Sequence, residues 1–165
     1  MTKYLILGDV MLDIYLYGHV GISPEAIVDF RFAEKMEMKL GGAGNIVSHL
    51  SKVGTGDFIC CLGQDIEKEL IMSMLMNLSF EAHWLDIPRT TTKTRYLDQT
   101  DNKLLFRISN EIYHSVNLLE LKKYIEKIDY DIMVISDYDK GLLNGNSISL
   151  LLEDNKARPY IYIYI

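Results

Sequence analysis

Apolar and polar positions along the chain follow two different periods. Short apolar runs at Tyr4–Leu7, Asp57–Leu62, His83–Ile87, Ile132–Ser136 and Pro159–Ile165 read as buried strands. Between them lie segments with helical spacing. Ala43, Ile46, Val47, Leu50 and Val53 predict a helix that starts at a glycine-rich loop and ends at Gly54. Asp65 is placed to cap a second helix running to Leu78, with Ile66, Leu70, Met74 and Leu78 on one face. Asn117 caps a third helix through Ile128, and Ser147–Asn155 forms a fourth. Strands that alternate with helices predict a parallel sheet covered on both faces.

A second pattern interrupts this alternation. Ile14–Val20 and Val28–Phe32 are β-rich and alternate imperfectly, with Gly21 and Pro24 between them, and Met36–Leu40 reads as a third short strand. Thr92–Asp98 and Lys103–Ser109 flank the polar turn Gln99–Asn102. Together these segments predict a separate small β-element. The last run, Tyr160–Ile165, is a strand without the loop and helix that normally follow a parallel strand. It is read as a truncation point, with a natural C-terminal strand as the alternative.

Composition narrows the function classes. The 165 residues form one domain, 48% hydrophobic and 24% charged, as in an ordinary globular chain. A net charge of −6 offers no basic excess to neutralise nucleic-acid phosphates. Cys60 and Cys61 are adjacent, so in a strand they point to opposite faces and cannot bridge each other. No run reaches the roughly 18 apolar residues of a membrane helix and no signal-peptide pattern is present, so the chain is expected in the cytoplasm, away from membranes.

Candidate chemistry gathers at strand ends. Asp9 and Asp13 follow the first strand, where doubly wound sheets bind ligands and where carboxylates can accept hydrogen bonds from sugar hydroxyls; a turn or helix cap is the alternative. Gly41-Gly42-Ala43-Gly44-Asn45 enters a helix, and its small residues admit a polar ligand to free N–H donors. It is neither a P-loop nor GxGxxG, because GK[ST] is missing and Val47 stands where the third glycine belongs. Lys93 and Arg95 share a strand face and Arg107 lies on the partner strand, a set that could hold a sugar phosphate or simply protect a solvated edge strand. Asp137, Asp139 and Lys140 close a buried strand. His19, His49, His83 and His114 are scattered and read as structural or surface residues, with no metal constellation.

Four segments in order, Gly8-Asp9-Val10-Met11-Leu12-Asp13, Ile22-Ser23-Pro24-Glu25-Ala26, Gly41-Gly42-Ala43-Gly44-Asn45 and Ser136-Asp137-Tyr138-Asp139-Lys140-Gly141, resemble the ribokinase/PfkB carbohydrate kinases. The first two resemble the branch that acts on D-glycero-β-D-manno-heptose 7-phosphate. The resemblance implies a ribokinase-like α/β fold: a partial doubly wound parallel sheet with an inserted β-sheet lid at approximately residues 14–40 and 92–109, all within one truncated kinase domain. It implies phosphoryl transfer from ATP, with Mg2+, to the anomeric hydroxyl of the heptose phosphate in ADP-heptose biosynthesis. It also implies a homodimer formed through the lid. By the same resemblance Asp13, Gly41, Gly42 and Asn45 contact sugar hydroxyls, and Lys93, Arg107, Asp137 and Lys140 lie near the sugar or its phosphate. The family's GAGD-type segment, which carries its anion hole and catalytic base, does not occur in these 165 residues, and neither do its nucleotide contacts. The chain alone is therefore expected to be inactive as a kinase. The alternative is a non-catalytic sugar-phosphate-binding or dimerising remnant.

Overall fold

The computed structural model describes residues 1–154 and 158–164. Nine strands and four helices occur among them. In chain order they are β1 (Thr2–Gly8), β2 (Val10–Gly21), β3 (Asp29–Gly42), α1 (Ala43–Leu50), β4 (Gly54–Leu62), α2 (Ile66–Leu75), β5 (Phe80–Asp86), β6 (Thr92–Asp98), β7 (Leu104–Asn110), α3 (Leu118–Ile125), β8 (Ile132–Asp137), α4 (Gly145–Asp154) and β9 (Tyr160–Tyr164). Asn155 and Ile165, the predicted ends of the last helix and strand, lie outside the described residues.

The main sheet has the order β5-β4-β1-β8-β9, with every pairing parallel. From the central β1 the chain steps outward to β4 and β5, then returns to build β8 and β9 on the other side. This change of direction places a topological switch point between β1 and β8, and a ligand crevice is expected beyond their carboxyl ends.

The strands are apolar on both faces because both are covered. Leu5, Leu7, Ile59, Cys61, Met133 and Ile135 face α3 and α4, while Ile6, Phe58, Cys60, Leu62 and Val134 face α1 and α2. Cys60 and Cys61 thus fall on opposite faces and are free thiols. Burial pushes the Cys61 thiol up to about 12, which makes it an inert core residue.

The second sheet has the order β3-β2-β6-β7. β2 pairs antiparallel with β3 and parallel with β6, and β6 pairs antiparallel with β7. β6 is therefore interior, which removes the solvated-edge reading of Lys93 and Arg95. Met36–Leu40 is not a separate strand. It continues β3, and a register shift opposite Tyr17 and Gly18 absorbs the break in alternation. The sheet is amphipathic. Asp13, Tyr15, Lys93, Arg95 and Arg107 share one face by register, and Leu12, Ile14, Leu16, Met36, Met38, Tyr96 and Phe106 share the other.

The helix α2 buries a face rotated from the one its spacing predicts: Leu70, Met74 and Leu78 pack against the core but are only partly buried. Ile71 and Leu75 are its buried residues, whereas Ile66 is 66% exposed. Apolar residues encircle this helix, so periodicity alone does not select a side. The Asp65 cap is as predicted: its carboxylate accepts from the Lys68 backbone N–H at 3.0 Å. The Asn117 cap of α3 likewise accepts from the Leu119 N–H at 2.9 Å. Among the described residues no helix is long and apolar enough to cross a membrane.

Candidate functional site

Asp9 organises the switch point. It is 4% exposed and lies between β1 and β2, at the carboxyl end of the central strand. Its Oδ2 accepts hydrogen bonds from the backbone N–H groups of Tyr138 (3.0 Å) and Lys140 (3.2 Å), and its Oδ1 accepts from Leu142 (3.4 Å). One carboxylate thus fixes the turn after β8. Burial pushes the Asp9 carboxyl up, and the three N–H donors oppose that shift. The Asp9 main-chain carbonyl also accepts from the Ala43 N–H at 2.9 Å, at the first turn of α1. Gly42 makes this approach possible: its φ is 59°, and a Cβ there would stand 2.3 Å from the Asp9 carbonyl oxygen. Of the two carboxylates proposed for sugar hydroxyls at the sequence level, Asp9 is therefore committed to the backbone.

Asp13 remains available. Its side chain lines a cavity of about 270 Å³ with Gly41, Gly42, Asn45 and Lys93, joined by Met11, Tyr15, Lys39, Leu40, Arg95 and Tyr138. Two features arrange this carboxylate. Arg95 Nη1 donates to Asp13 Oδ1 at 2.8 Å, with both side chains mostly shielded. Gly41 leaves room for the other oxygen, since a Cβ there would lie 2.6 Å from Asp13 Oδ2. The walls carry cations over aromatic faces: Arg95 and Lys39 stand 5.1 Å and 5.0 Å from the Tyr15 ring, and Lys93 stands 5.9 Å from the Tyr138 ring. Burial holds the Lys93 ammonium below the usual lysine range; Lys140 and Arg107 add to that push and Glu111 opposes it. A polar ligand here meets one anion, three cations and two aromatic rings.

Three residues from the sequence reading stand apart from this cavity. Arg107 is exposed on β7, directly opposite Arg95. Lys140 pairs with Glu111 at 3.0 Å. Asp137 is buried, accepts from the Asp139 N–H at 2.9 Å, and receives the Tyr162 hydroxyl at 3.3 Å, which ties the turn to β9. Thr90 is likewise structural. Its hydroxyl donates to Asp65 Oδ1 at 2.7 Å and accepts from the Gly63 N–H at 2.9 Å. Tyr15 and Lys39 are absent from the sequence-level site. Tyr15 was reachable through two-residue alternation from Asp13, but Lys39 depends on the β2–β3 register that places it opposite Asp13.

This architecture is the ribokinase-like fold of sugar kinases. A carbohydrate kinase from Agrobacterium tumefaciens superposes with a TM-score of 0.74 at 19% identity, over 98% of this chain and 53% of that one. Phosphofructokinase-2 from Escherichia coli, solved in complex with fructose-6-phosphate, superposes with a TM-score of 0.70 at 16% identity, over 99% of this chain and 55% of that one. At the sequence level the chain is a homologue of the bifunctional HldE proteins. It is 34% identical to that of Nitratiruptor sp. over an alignment of 166 positions and 34% identical to that of Helicobacter pylori over one of 154. These alignments cover 96% and 87% of this chain but 36% and 33% of the relatives, so the chain spans about a third of their length. No family model matches the chain.

Proposed function

We propose that this chain forms the acceptor-binding part of a carbohydrate kinase of the heptose kinase type. The reaction it serves is transfer of the γ-phosphoryl group of ATP, as its Mg2+ complex, to the anomeric hydroxyl of D-glycero-β-D-manno-heptose 7-phosphate. The observation that carries the reading is the single cavity uniting Asp13, Gly41, Gly42, Asn45 and Lys93 beyond the carboxyl end of β1. Asp13 Oδ2, the oxygen left open by Arg95, accepts from sugar hydroxyls. The glycines admit the ring to the backbone, and the Asn45 amide donates and accepts at the start of α1. Lys93 meets the sugar's phosphate, with Arg107 and Lys140 adding to the positive field. Homology to HldE proteins supports the heptose branch.

The donor nucleotide and the general base have no assigned residues here. The glycine-rich loop at 41–45 opens on the acceptor cavity, and no GAGD-type or GK[ST] segment occurs in the sequence. Proton removal from the attacking hydroxyl and stabilisation of the transferring phosphoryl group both need groups positioned at those atoms. The 165-residue chain with ATP, Mg2+ and heptose 7-phosphate is expected to release no ADP above the sugar-free rate in a coupled assay. Sugar-dependent ADP release would overturn this part of the reading.

The apolar face of the second sheet supports self-association. Phe32, Met36 and Ile108 on that face are each about half exposed, at 51%, 50% and 52%. A patch of this kind favours a second copy of the same sheet. Sedimentation velocity is expected to give a dimer that the double variant Phe32→Asp/Met36→Asp converts to monomer. A wild-type monomer at tens of micromolar would contradict it.

A further inference from the structure

At the opposite end of the main sheet from the sugar cavity, the folded chain gathers three groups that the sequence keeps apart. Asp57 lies near the start of β4, and Glu81 and His83 lie on β5. The parallel register sets Asp57 beside Glu81 and Ile59 beside His83, so all three side chains leave the same sheet face. One potential ligand atom from each lies within 4.8 Å of the others. His83 Nε2 is 2.7 Å from Asp57 Oδ1, and these two side chains are only 22% and 23% exposed. The groups line a cavity of about 650 Å³, together with Lys3, Tyr124, Lys127 and Asp129. Lys3 is paired with Asp129 at 3.0 Å on the wall of the same cavity, and the Asp57 carboxylate also acts on its charge.

We propose that Asp57, Glu81 and His83 form a binding site for a first-row divalent cation of the zinc type. One imidazole nitrogen and two carboxylates form a three-ligand protein set that water completes to four-coordination, with bonds of about 2.0–2.2 Å. The imidazole selects against Mg2+, which prefers oxygen donors in octahedral geometry. Two neighbouring strands hold the donors, so little chain ordering is needed at binding. The cation replaces the His83–Asp57 hydrogen bond: the ring binds through the Nε2 lone pair, with its proton on Nδ1. The bound ion ties β5 to β4 at the edge of the sheet.

The test is calorimetric titration of the full chain with Zn2+, repeated with Mg2+ and with Co2+ followed by its visible absorption. One Zn2+ per chain is expected, no Mg2+ binding, and a Co2+ spectrum of four-coordinate intensity. His83→Ala and the exposed-site variant Glu81→Gln should each weaken Zn2+ binding by roughly tenfold or more, with unchanged circular dichroism. Absence of Zn2+ binding by the wild-type chain would overturn the site. So would equal affinity in wild type and in a folded Glu81→Gln chain. Neither result bears on the sugar cavity, which shares no residue with this cluster.

Discussion

Replacing Asp9 with alanine is expected to destabilise the chain by about 3 kcal/mol, the range for removing a buried acceptor that serves several donors. Three backbone N–H groups, those of Tyr138, Lys140 and Leu142, lose their partner at once. They belong to the turn after β8, where water cannot replace the carboxylate without opening the turn. The loss is smaller than three charge-assisted hydrogen bonds would suggest, because burial already opposes ionisation of this carboxyl. Asp9→Asn separates the contributions. Its carboxamide oxygen can serve the two donors now on Oδ2, while its NH2 group faces the Leu142 N–H and cannot accept. It should therefore lose roughly half as much as alanine. Urea denaturation of the three chains checks the order wild type, Asn, Ala. A loss under about 1 kcal/mol for alanine would show that the turn does not depend on this group.

Asp13→Asn is expected to leave the fold intact and to reduce affinity for heptose 7-phosphate by about a hundredfold or more, the scale of a charged hydrogen-bond pair lost from a shielded site. The substitution does two things. It removes the carboxylate whose Oδ2 faces the cavity, and it weakens the hold of Oδ1 on Arg95. Freed of its partner, the Arg95 guanidinium can swing toward the sugar's phosphate and recover part of the loss. Arg95→Ala on the Asp13→Asn background should therefore weaken binding further. If Asp13→Asn binds the sugar phosphate as wild type does, Asp13 is not its anchor.

The alternating scaffold was legible because its physical signals are local. Apolar runs ending in Gly-Asp, and caps such as Asp65 and Asn117, act over a few residues and reappear where they were expected. The features that went unread are those set by pairing. Met36–Leu40 joins β3 through a register shift that leaves only a gap in alternation. The buried face of α2 is chosen by the sheet beneath it, because apolar residues circle that helix. In the candidate site, Asp13, Gly41, Gly42 and Asn45 were found through strand-end and helix-start positions. Lys39 enters through its place opposite Asp13, a long-range fact. Asp9 shows the converse: its position suggested a ligand contact, and the fold uses it to hold two loops. His83, read as structural, stands beside two carboxylates only because β5 docks on β4 in one register.

The cavity around Asp13 is expected to hold a sugar phosphate. Isothermal titration of the 165-residue chain with D-glycero-β-D-manno-heptose 7-phosphate, in the absence of ATP, tests it most directly. Saturable binding at one site per chain is expected, about a hundredfold weaker or more in Asp13→Asn and weakened in Lys93→Ala. A folded wild-type chain that gives no binding heat at millimolar sugar phosphate, or that binds equally well without Asp13, would contradict it.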